Sequence, residues 1–281
     1  MEGGESPHKF IQTKSVVHTF TLIFSTSLFP NPSRFLSPPS KRQMTTMTGG
    51  KRDLVNAVTG EKRNFDSTNA VTGEKRNFDS VAATWDENPG RVKLSQDVAR
   101  AIRDRVRPTP EMDVLDFGCG TGLLTLQLQP LVRSITGIDS SQGMLDILDG
   151  KIRKQRLTNV RTRLVDLDKG DALTGEYDLI VSSMTFHHVQ DVRAVLKAMA
   201  GILRPSGQVA VADLDCDGGK FHDSNEGVFH FGFDRCIMMK HMEAAGFGSV
   251  RNRTAAIMQK PSPAGEARTF TIFLMTGRKR D

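Results

Sequence analysis

An acidic residue and three glycines stand within seven positions of one another in the stretch DFGCGTG, residues 116–122. Asp116 ends an apolar run, and Gly118, Gly120 and Gly122 alternate with other residues after it. Because glycine has no Cβ, a loop built from such residues lets a ligand lie directly against the backbone. The stretch therefore predicts a binding loop, and the class of its ligand is the first question that the sequence raises.

Three classes of site compete for this loop. A protein-kinase DFG motif requires an upstream glycine-rich loop, a strand lysine and an HRD loop, none of which occurs in the sequence. A dinucleotide fingerprint has glycines at its first, third and sixth positions. Counted from Gly118, the sixth position is Leu123 and the third glycine comes fifth, at Gly122. A loop of this GxGxG form also suits a sulfonium nucleoside, so the dinucleotide and the sulfonium nucleoside both stay open at this point.

Two further carboxylates follow where strands are predicted to end. Asp139 lies 17 residues after Gly122, and a carboxylate at the end of a second strand can accept hydrogen bonds from both ribose hydroxyls of a nucleoside. Asp166 ends the third strand, so it can accept from an adenine amino group while the backbone amide of Leu167 donates to the ring. These positions fit NAD and S-adenosylmethionine equally. A solvated turn at the end of the strand is the alternative for Asp166.

The elements around these residues alternate between strands and helices. Short apolar runs predict strands, and helical patterns separate most of them, which predicts a parallel sheet covered on both faces. After it, Asp234 can cap a helix through Ala245, and two more strand-like runs predict a closing antiparallel pair. Strands are expected at 112–117, 135–139, 160–165, 177–183, 208–213, 250–258 and 268–275, and the earlier helices at 94–102, 121–132, 141–156 and 192–203.

Five segments carry a resemblance to a known family: VLDFGCGTG, GIDSSQGML, VDLD, YDLIVSSMTFHHV and LRPSGQVAVAD. In this order and spacing they resemble the class I S-adenosylmethionine-dependent methyltransferases of the small-molecule group. The resemblance covers about residues 81–281. It implies an α/β, Rossmann-like, doubly wound and mostly parallel seven-stranded sheet with a C-terminal antiparallel strand.

The resemblance also implies S-adenosyl-L-methionine as the cofactor and a role for each matching residue in binding it. The implied assignments are Asp116 and Gly118 to the methionine end, Gly120 and Gly122 to the shape of the loop, Asp139 to the ribose with Ser140 beside it, Met144 to the adenosine, Asp166 and Leu167 to the adenine, Ser182 to a place beside the donor, and Trp85 to covering the cofactor.

The predicted function is the transfer of a methyl group from S-adenosyl-L-methionine to a small-molecule acceptor. A protein or RNA methyltransferase and a non-catalytic cofactor-binding module are the alternatives. His187 and His188, just after the fourth strand, are the candidates for a general base, on the rim where open α/β sheets bind ligands. Their alternative role is to orient the loop or cap the next helix. The spacing of Cys216, His222, His230 and Cys236 matches no compact zinc pattern, so no metal is predicted.

Composition bounds the partners and the compartment. Residues 1–43 hold five Lys/Arg against two Asp/Glu, which is +3 of the net charge of +6. The rest of the chain is therefore close to neutral. A nucleic-acid-binding protein is expected to carry a clustered basic face, so nucleic acid is not predicted as a partner. No apolar run is long enough to span a membrane. Three cysteines without a CxxC pair suit a reducing compartment. We expect a cytoplasmic protein, with a mitochondrial location through the acid-poor N-terminal segment as the alternative.

The first 80 residues are expected to form a disordered arm ahead of a single domain over residues 81–281. The arm is rich in proline and serine and lacks a periodic apolar pattern. It contains the stretch NAVTGEKRNFDS at 56–67, which recurs at 69–80. Two copies of so short a unit are too few for a solenoid, so the repeat is interpreted as a duplication within the arm.

Overall fold

The protein is represented by a computed structural model that describes residues 75–261 and 265–280. The strands are β1 (Asp113–Phe117), β2 (Ser134–Asp139), β3 (Val160–Leu164), β4 (Tyr177–Ser183), β5 (Leu203–Leu214), β6 (Phe247–Pro261) and β7 (Ala267–Lys279). They form a seven-stranded sheet in the order β3-β2-β1-β4-β5-β7-β6. The first five strands run parallel, and β7 runs antiparallel to β5 and β6. The predicted fold class is confirmed.

The helices cover the sheet on both faces. They are α1 (Pro89–Val106), α2 (Thr125–Leu128), α3 (Gln142–Gln155), α4 (Val192–Ile202) and α5 (Arg235–Ala244). Successive side chains of a strand point to opposite faces, so Val114 and Leu115 of β1 belong to two different buried clusters. Helix α1 packs in the first cluster, and helices α4 and α5 pack in the second. This arrangement brings the carboxyl ends of β1 to β5 to one edge of the sheet.

Polar residues cap the starts of the longer helices. Asn88, Ser141, Asp191 and Asp234 each accept a hydrogen bond from a backbone N–H in the first turn of the helix that follows. Such caps satisfy amide groups that have no partner within the helix. The predicted start of a helix at Asp234 is confirmed.

The helix predicted over 121–132 is much shorter in the structure. Gly122 has a φ of +83° and its N–H donates to the carbonyl of Cys119, so this residue still belongs to the turn. Helix α2 starts only at Thr125 and gives way after Leu128 to a 3₁₀ turn, Gln129–Leu131, that contains Pro130. The glycine loop therefore takes the residues that the sequence pattern placed in the first helical turn.

Residues 75–80, which the sequence pattern placed in the disordered arm, contact the domain, and a 3₁₀ helix spans Asp79–Glu87. The rest of the predicted arm, with the acid-poor segment and the first copy of the repeat, lies outside the described residues. Among the described helices, none has both the length and the apolar character needed to cross a membrane.

Candidate active site

The glycine loop lies between β1 and α2 and is anchored to the neighbouring strand. The N–H groups of Gly118 and Cys119 both donate to the carbonyl of Ile138, at 2.8 and 3.0 Å. Gly118 has a φ of +71°, and a Cβ added there would lie 2.3 Å from the side chain of Thr185. Gly120 has a φ of +54°, but a Cβ there would meet no atom of the described residues within 4 Å. The loop is thus closed by protein at its first glycine and opens onto free space at its second.

Asp116 lies beneath this loop rather than on its open side. The carboxylate is almost fully buried and accepts a hydrogen bond of 2.6 Å from the Thr125 hydroxyl. Burial, reinforced by the nearby Asp139, raises the pKa of Asp116 to about 7. In this structure Asp116 supports the loop from below, through the helix that follows it.

Asp139 ends β2 and ties the loop to the start of α3. One carboxylate oxygen accepts from the N–H of Gly120 at 2.8 Å, and the other accepts from the N–H of Ser141 at 2.9 Å. Burial raises the pKa of Asp139. Ser140 is half-buried beside it, and Met144 is buried in the first turn of α3. The carboxylate therefore stands directly beside the open glycine, where the predicted nucleoside would lie.

Asp166 follows β3 and is held by a residue that the sequence did not single out. Lys75 Nζ lies 2.7 Å from Asp166 Oδ1 and 3.2 Å from Asp168 Oδ2. Although burial opposes it, the hydrogen bond and charge of Lys75 hold the pKa of Asp166 below its usual range. Leu167 is half-buried and opens a short 3₁₀ turn. Asp166 is therefore an ionised carboxylate with a cation already placed on it.

The side chains of Ser182 and Trp85, to which the resemblance gives places next to the cofactor, are both held by contacts within the protein. Ser182 is fully buried, and its hydroxyl donates to the carbonyl of Phe117 at 2.8 Å. The Trp85 ring is covered by the Arg91 guanidinium at 3.7 Å and meets Phe78 edge-on at 5.8 Å. Next to Trp85, Asp86 accepts from the Thr121 hydroxyl at 2.6 Å. Trp85 is therefore packed between Arg91 and Phe78, and the residue that follows it is bonded to the glycine loop.

The two candidate bases, His187 and His188, form one short 3₁₀ turn after β4 but have different surroundings. The Nδ1 of His187 lies 2.6 Å from Asp213, a fully buried carboxylate at the end of β5. The Nδ1 of His188 lies 2.6 Å from the carbonyl of Gly227. Burial, followed by the neighbouring His187, lowers the pKa of His188 to about 3. His188 is therefore neutral near pH 7, and only His187 has a carboxylate partner.

The segment 75–80 contacts both parts of this site, and sequence reasoning missed it. Lys75 reaches Asp166, the Phe78 ring meets His188 edge-on at 5.1 Å, and Asp79 accepts from the Ser141 hydroxyl at 2.5 Å and the Gly143 N–H at 2.8 Å. These residues belong to the second copy of the repeat. Their polar composition is typical of a solvated arm, so no pattern in the sequence pointed to the contacts.

The central part of the chain matches known methyltransferases. Residues 114–207 match the family model of a methyltransferase domain. An uncharacterized methyltransferase of Schizosaccharomyces pombe is 41% identical in an alignment of 157 positions that covers 48% of this chain and 55% of that relative. Nocamycin O-methyltransferase of Saccharothrix syringae is 30% identical over 123 residues, which are 43% of this chain and 44% of that relative. The chain thus spans about half the length of the curated relatives that it matches.

A solved structure shares the fold. Phosphoethanolamine N-methyltransferase 2 of Haemonchus contortus, in complex with S-adenosyl-L-methionine, matches with a TM-score of 0.55 and 14% identity, over 73% of this chain and 60% of that one. At this identity the likeness shows the fold alone. The family match over residues 114–207 and the sheet order support a class I methyltransferase domain in this chain.

Proposed function

We propose that this chain transfers a methyl group from S-adenosyl-L-methionine to a small-molecule acceptor. The observation that carries the proposal is the open glycine of the loop with a carboxylate at its side. Gly120 faces free space, and its own N–H is held by Asp139. A ligand placed there lies against bare backbone and within reach of a carboxylate that can accept from ribose hydroxyls.

The residues present suit this cofactor better than a dinucleotide. The position that a dinucleotide fingerprint reserves for its last glycine is Leu123. The helix that would receive a pyrophosphate at its N-terminus is only one turn long and starts at Thr125. A sulfonium nucleoside needs no such helix, since its nucleoside part is served by Asp139, Asp166 and the backbone amide of Leu167.

For methyl transfer, the protein mainly has to align the methyl donor with the acceptor. When bound, the cofactor supplies a methyl group that its positively charged sulfur already activates. The chain's residues hold the two reactants in line and exclude water, and such alignment contributes about 7–11 kcal/mol to lowering a barrier. A proton must leave the acceptor only if the attacking atom carries one of high pKa. The general base predicted at His187 and His188 stays a prediction, and of the two rings only His187 has a carboxylate behind it.

A relative with a small acceptor in its name supports the class of substrate. It is nocamycin O-methyltransferase, whose name gives oxygen as the atom that is methylated in that protein's reaction. The observation that favours a small molecule is that the 75–80 segment and residues 222–230 both contact the turn of His187 and His188, since a large acceptor at this turn would require these contacts to open.

Calorimetry on the full chain tests the cofactor assignment. We expect binding of S-adenosyl-L-methionine and of S-adenosylhomocysteine, with no heat from NAD. Binding of NAD without binding of the sulfonium would overturn the proposal. A second measurement follows the labelled methyl group of the donor into small-molecule and macromolecular fractions of an extract. Label found only in protein or RNA would replace the small-molecule acceptor by a macromolecular one.

A further inference from the structure

Three imidazoles gather beside the glycine loop, and two of them come from a different segment than the third. His187 and His188 lie on the turn after β4, and His222 lies on the segment that follows β5. The ring centroids are 4.2 Å apart for His187 and His188, 4.9 Å for His187 and His222, and 5.6 Å for His188 and His222. One ring nitrogen of each lies within 4.8 Å of one ring nitrogen of each of the others. We refer to these three residues as the histidine cluster.

The hydrogen bonds at Nδ1 leave the other nitrogen available in two of the rings. A backbone carbonyl can only accept, so His188 donates from Nδ1 to Gly227 and its Nε2 carries a lone pair when the ring is neutral. His187 likewise donates from Nδ1 to the carboxylate of Asp213. An imidazole that donates from one nitrogen and presents a lone pair on the other is the form that binds a metal.

The third ring has a buried nitrogen that nothing in the described part of the chain satisfies. His222 Nε2 is shielded from solvent, and no hydrogen-bond partner lies within reach of it among the described residues. A buried nitrogen without a partner is costly to a folded protein and calls for a ligand or a water molecule.

The carboxylate behind the cluster is held unusually firmly. Asp213 is fully buried and accepts from the backbone N–H of Phe186 at 2.8 Å and of Leu214 at 2.7 Å, besides the ring of His187. A carboxylate that orients a histidine from behind is the usual outer partner of a metal-binding imidazole.

We propose that His187, His188 and His222 bind a divalent transition-metal ion, with zinc as the preferred ion. Three neutral imidazoles with one open position are the donor set of a catalytic zinc site. Zinc–nitrogen bonds of about 2.0–2.1 Å place tetrahedral ligand atoms about 3.4 Å apart, so binding would draw the rings closer together. His222 is carried by residues 215–233, the segment between β5 and α5.

The location beside the loop suggests what such an ion would do. Thr185, two residues before His187, packs directly on Gly118. The open position of the ion would hold an oxygen or nitrogen atom of the acceptor and favour its deprotonated form. This role rests on the proposed function, whereas metal binding by the cluster does not. Metal binding and methyl transfer can therefore fail independently of each other.

Metal analysis of the full chain provides the first test. The protein is purified without a metal-affinity tag, stripped with a chelator, incubated with zinc chloride or cobalt chloride, and desalted. We expect one ion per chain by elemental analysis, and visible absorption bands of tetrahedral cobalt with nitrogen ligands in the cobalt form. No metal above the buffer blank after incubation with either salt would overturn the proposal.

Matched variants locate the ion. His222→Ala is expected to lose stoichiometric metal, and His188→Gln is expected to do the same with a smaller change in volume. Asp213→Asn, which alters the outer partner only, is expected to weaken metal affinity by about 10–100-fold. His230→Ala is the control, because His230 lies on the same segment but bonds the Val189 carbonyl at 2.9 Å outside the cluster. Circular dichroism verifies that each variant is folded. The proposed site would be overturned if the folded His222→Ala and His188→Gln proteins bind zinc as the parent does.

Discussion

The donor edge, formed by the glycine loop with Asp139 and Asp166, and the histidine cluster lie side by side at the ends of the parallel strands. In the donor edge, each functional group lies at or just after the end of its own strand, and Asp139 accepts from Ser141 two positions away and from Gly120 19 positions away. The histidine cluster instead joins residues from segments that are 34 positions apart and depends on a carboxylate at the end of a further strand. The comparison teaches that strand ends place the groups of one half of the site, whereas the packing of a later segment assembles the other half.

The two regions touch at Gly118, and the largest effect is expected there. In Gly118→Ala the new Cβ would clash with Thr185 in a strained backbone conformation, at a cost of about 2–5 kcal/mol in the free energy of unfolding. Gly120→Ala is the matched control, because the same strain without a clash costs about 1–2 kcal/mol. Chemical denaturation measures both values. Equal losses in the two variants would show that Thr185 does not press on the loop.

The buried end of the donor edge is expected to make stability depend on pH. The pKa of Asp116 is raised to about 7 in the folded state, so its protonated form stabilises the fold at low pH and this contribution is lost as the pH rises towards 7. Between pH 5 and pH 8 the parent should lose about 2–3 kcal/mol relative to Asp116→Asn, measured by urea unfolding. Asp146→Asn, at an exposed position of α3, serves as the control. A difference between parent and Asp116→Asn that stays constant with pH would contradict the raised pKa.

The open end of the donor edge is expected to control affinity for the cofactor. Asp139→Ala should weaken binding of S-adenosylhomocysteine by about 1–3 kcal/mol, since charged hydrogen bonds are removed. Its metal content should equal that of the parent. Conversely, His222→Ala should bind S-adenosylhomocysteine within about twofold of the parent, as sites without shared partners behave independently. Calorimetry measures the binding of S-adenosylhomocysteine by both variants, and elemental analysis measures their metal content. Loss of both S-adenosylhomocysteine and metal in either variant would show that the donor edge and the histidine cluster form one site.

The smallest effect is expected where the 75–80 segment meets the donor edge. The ion pair of Lys75 with Asp166 is partly exposed, so Lys75→Ala should change the free energy of unfolding by less than about 1 kcal/mol. Removing the cation frees Asp166 and should raise cofactor affinity by about two- to fivefold. Lys62 occupies the same position in the first copy of the repeat. The double variant Lys62→Ala with Lys75→Ala is therefore measured as well, so that the equivalent lysine does not take the place of Lys75. Lys93→Ala is the control, and weaker cofactor binding after loss of Lys75 would show that the lysine assists binding.

Much of the fold could be predicted because its signals are periodic and local. The apolar runs of the strands, the cap at Asp234 and the glycines of the loop each reflect a preference of a few adjacent residues. The length of α2 could not be predicted, because the loop holds Gly122 in a turn conformation through a contact with Cys119. The contacts of Lys75 and Asp79 were also missed, since they are with residues more than 60 positions away.

The sequence by itself determined the order of strands and helices in the sheet, the position of the glycine loop and the positions of the carboxylates at the strand ends. The reason is that spacing along parallel strands translates directly into position at one edge of the sheet. Only the tertiary structure decided which side chains share a partner. It placed Asp213 behind His187, brought His222 to both of the other rings, and laid Lys75 on Asp166. The physical reason is that these contacts depend on how β5, its following segment and the 75–80 segment pack together, and no local pattern records that packing.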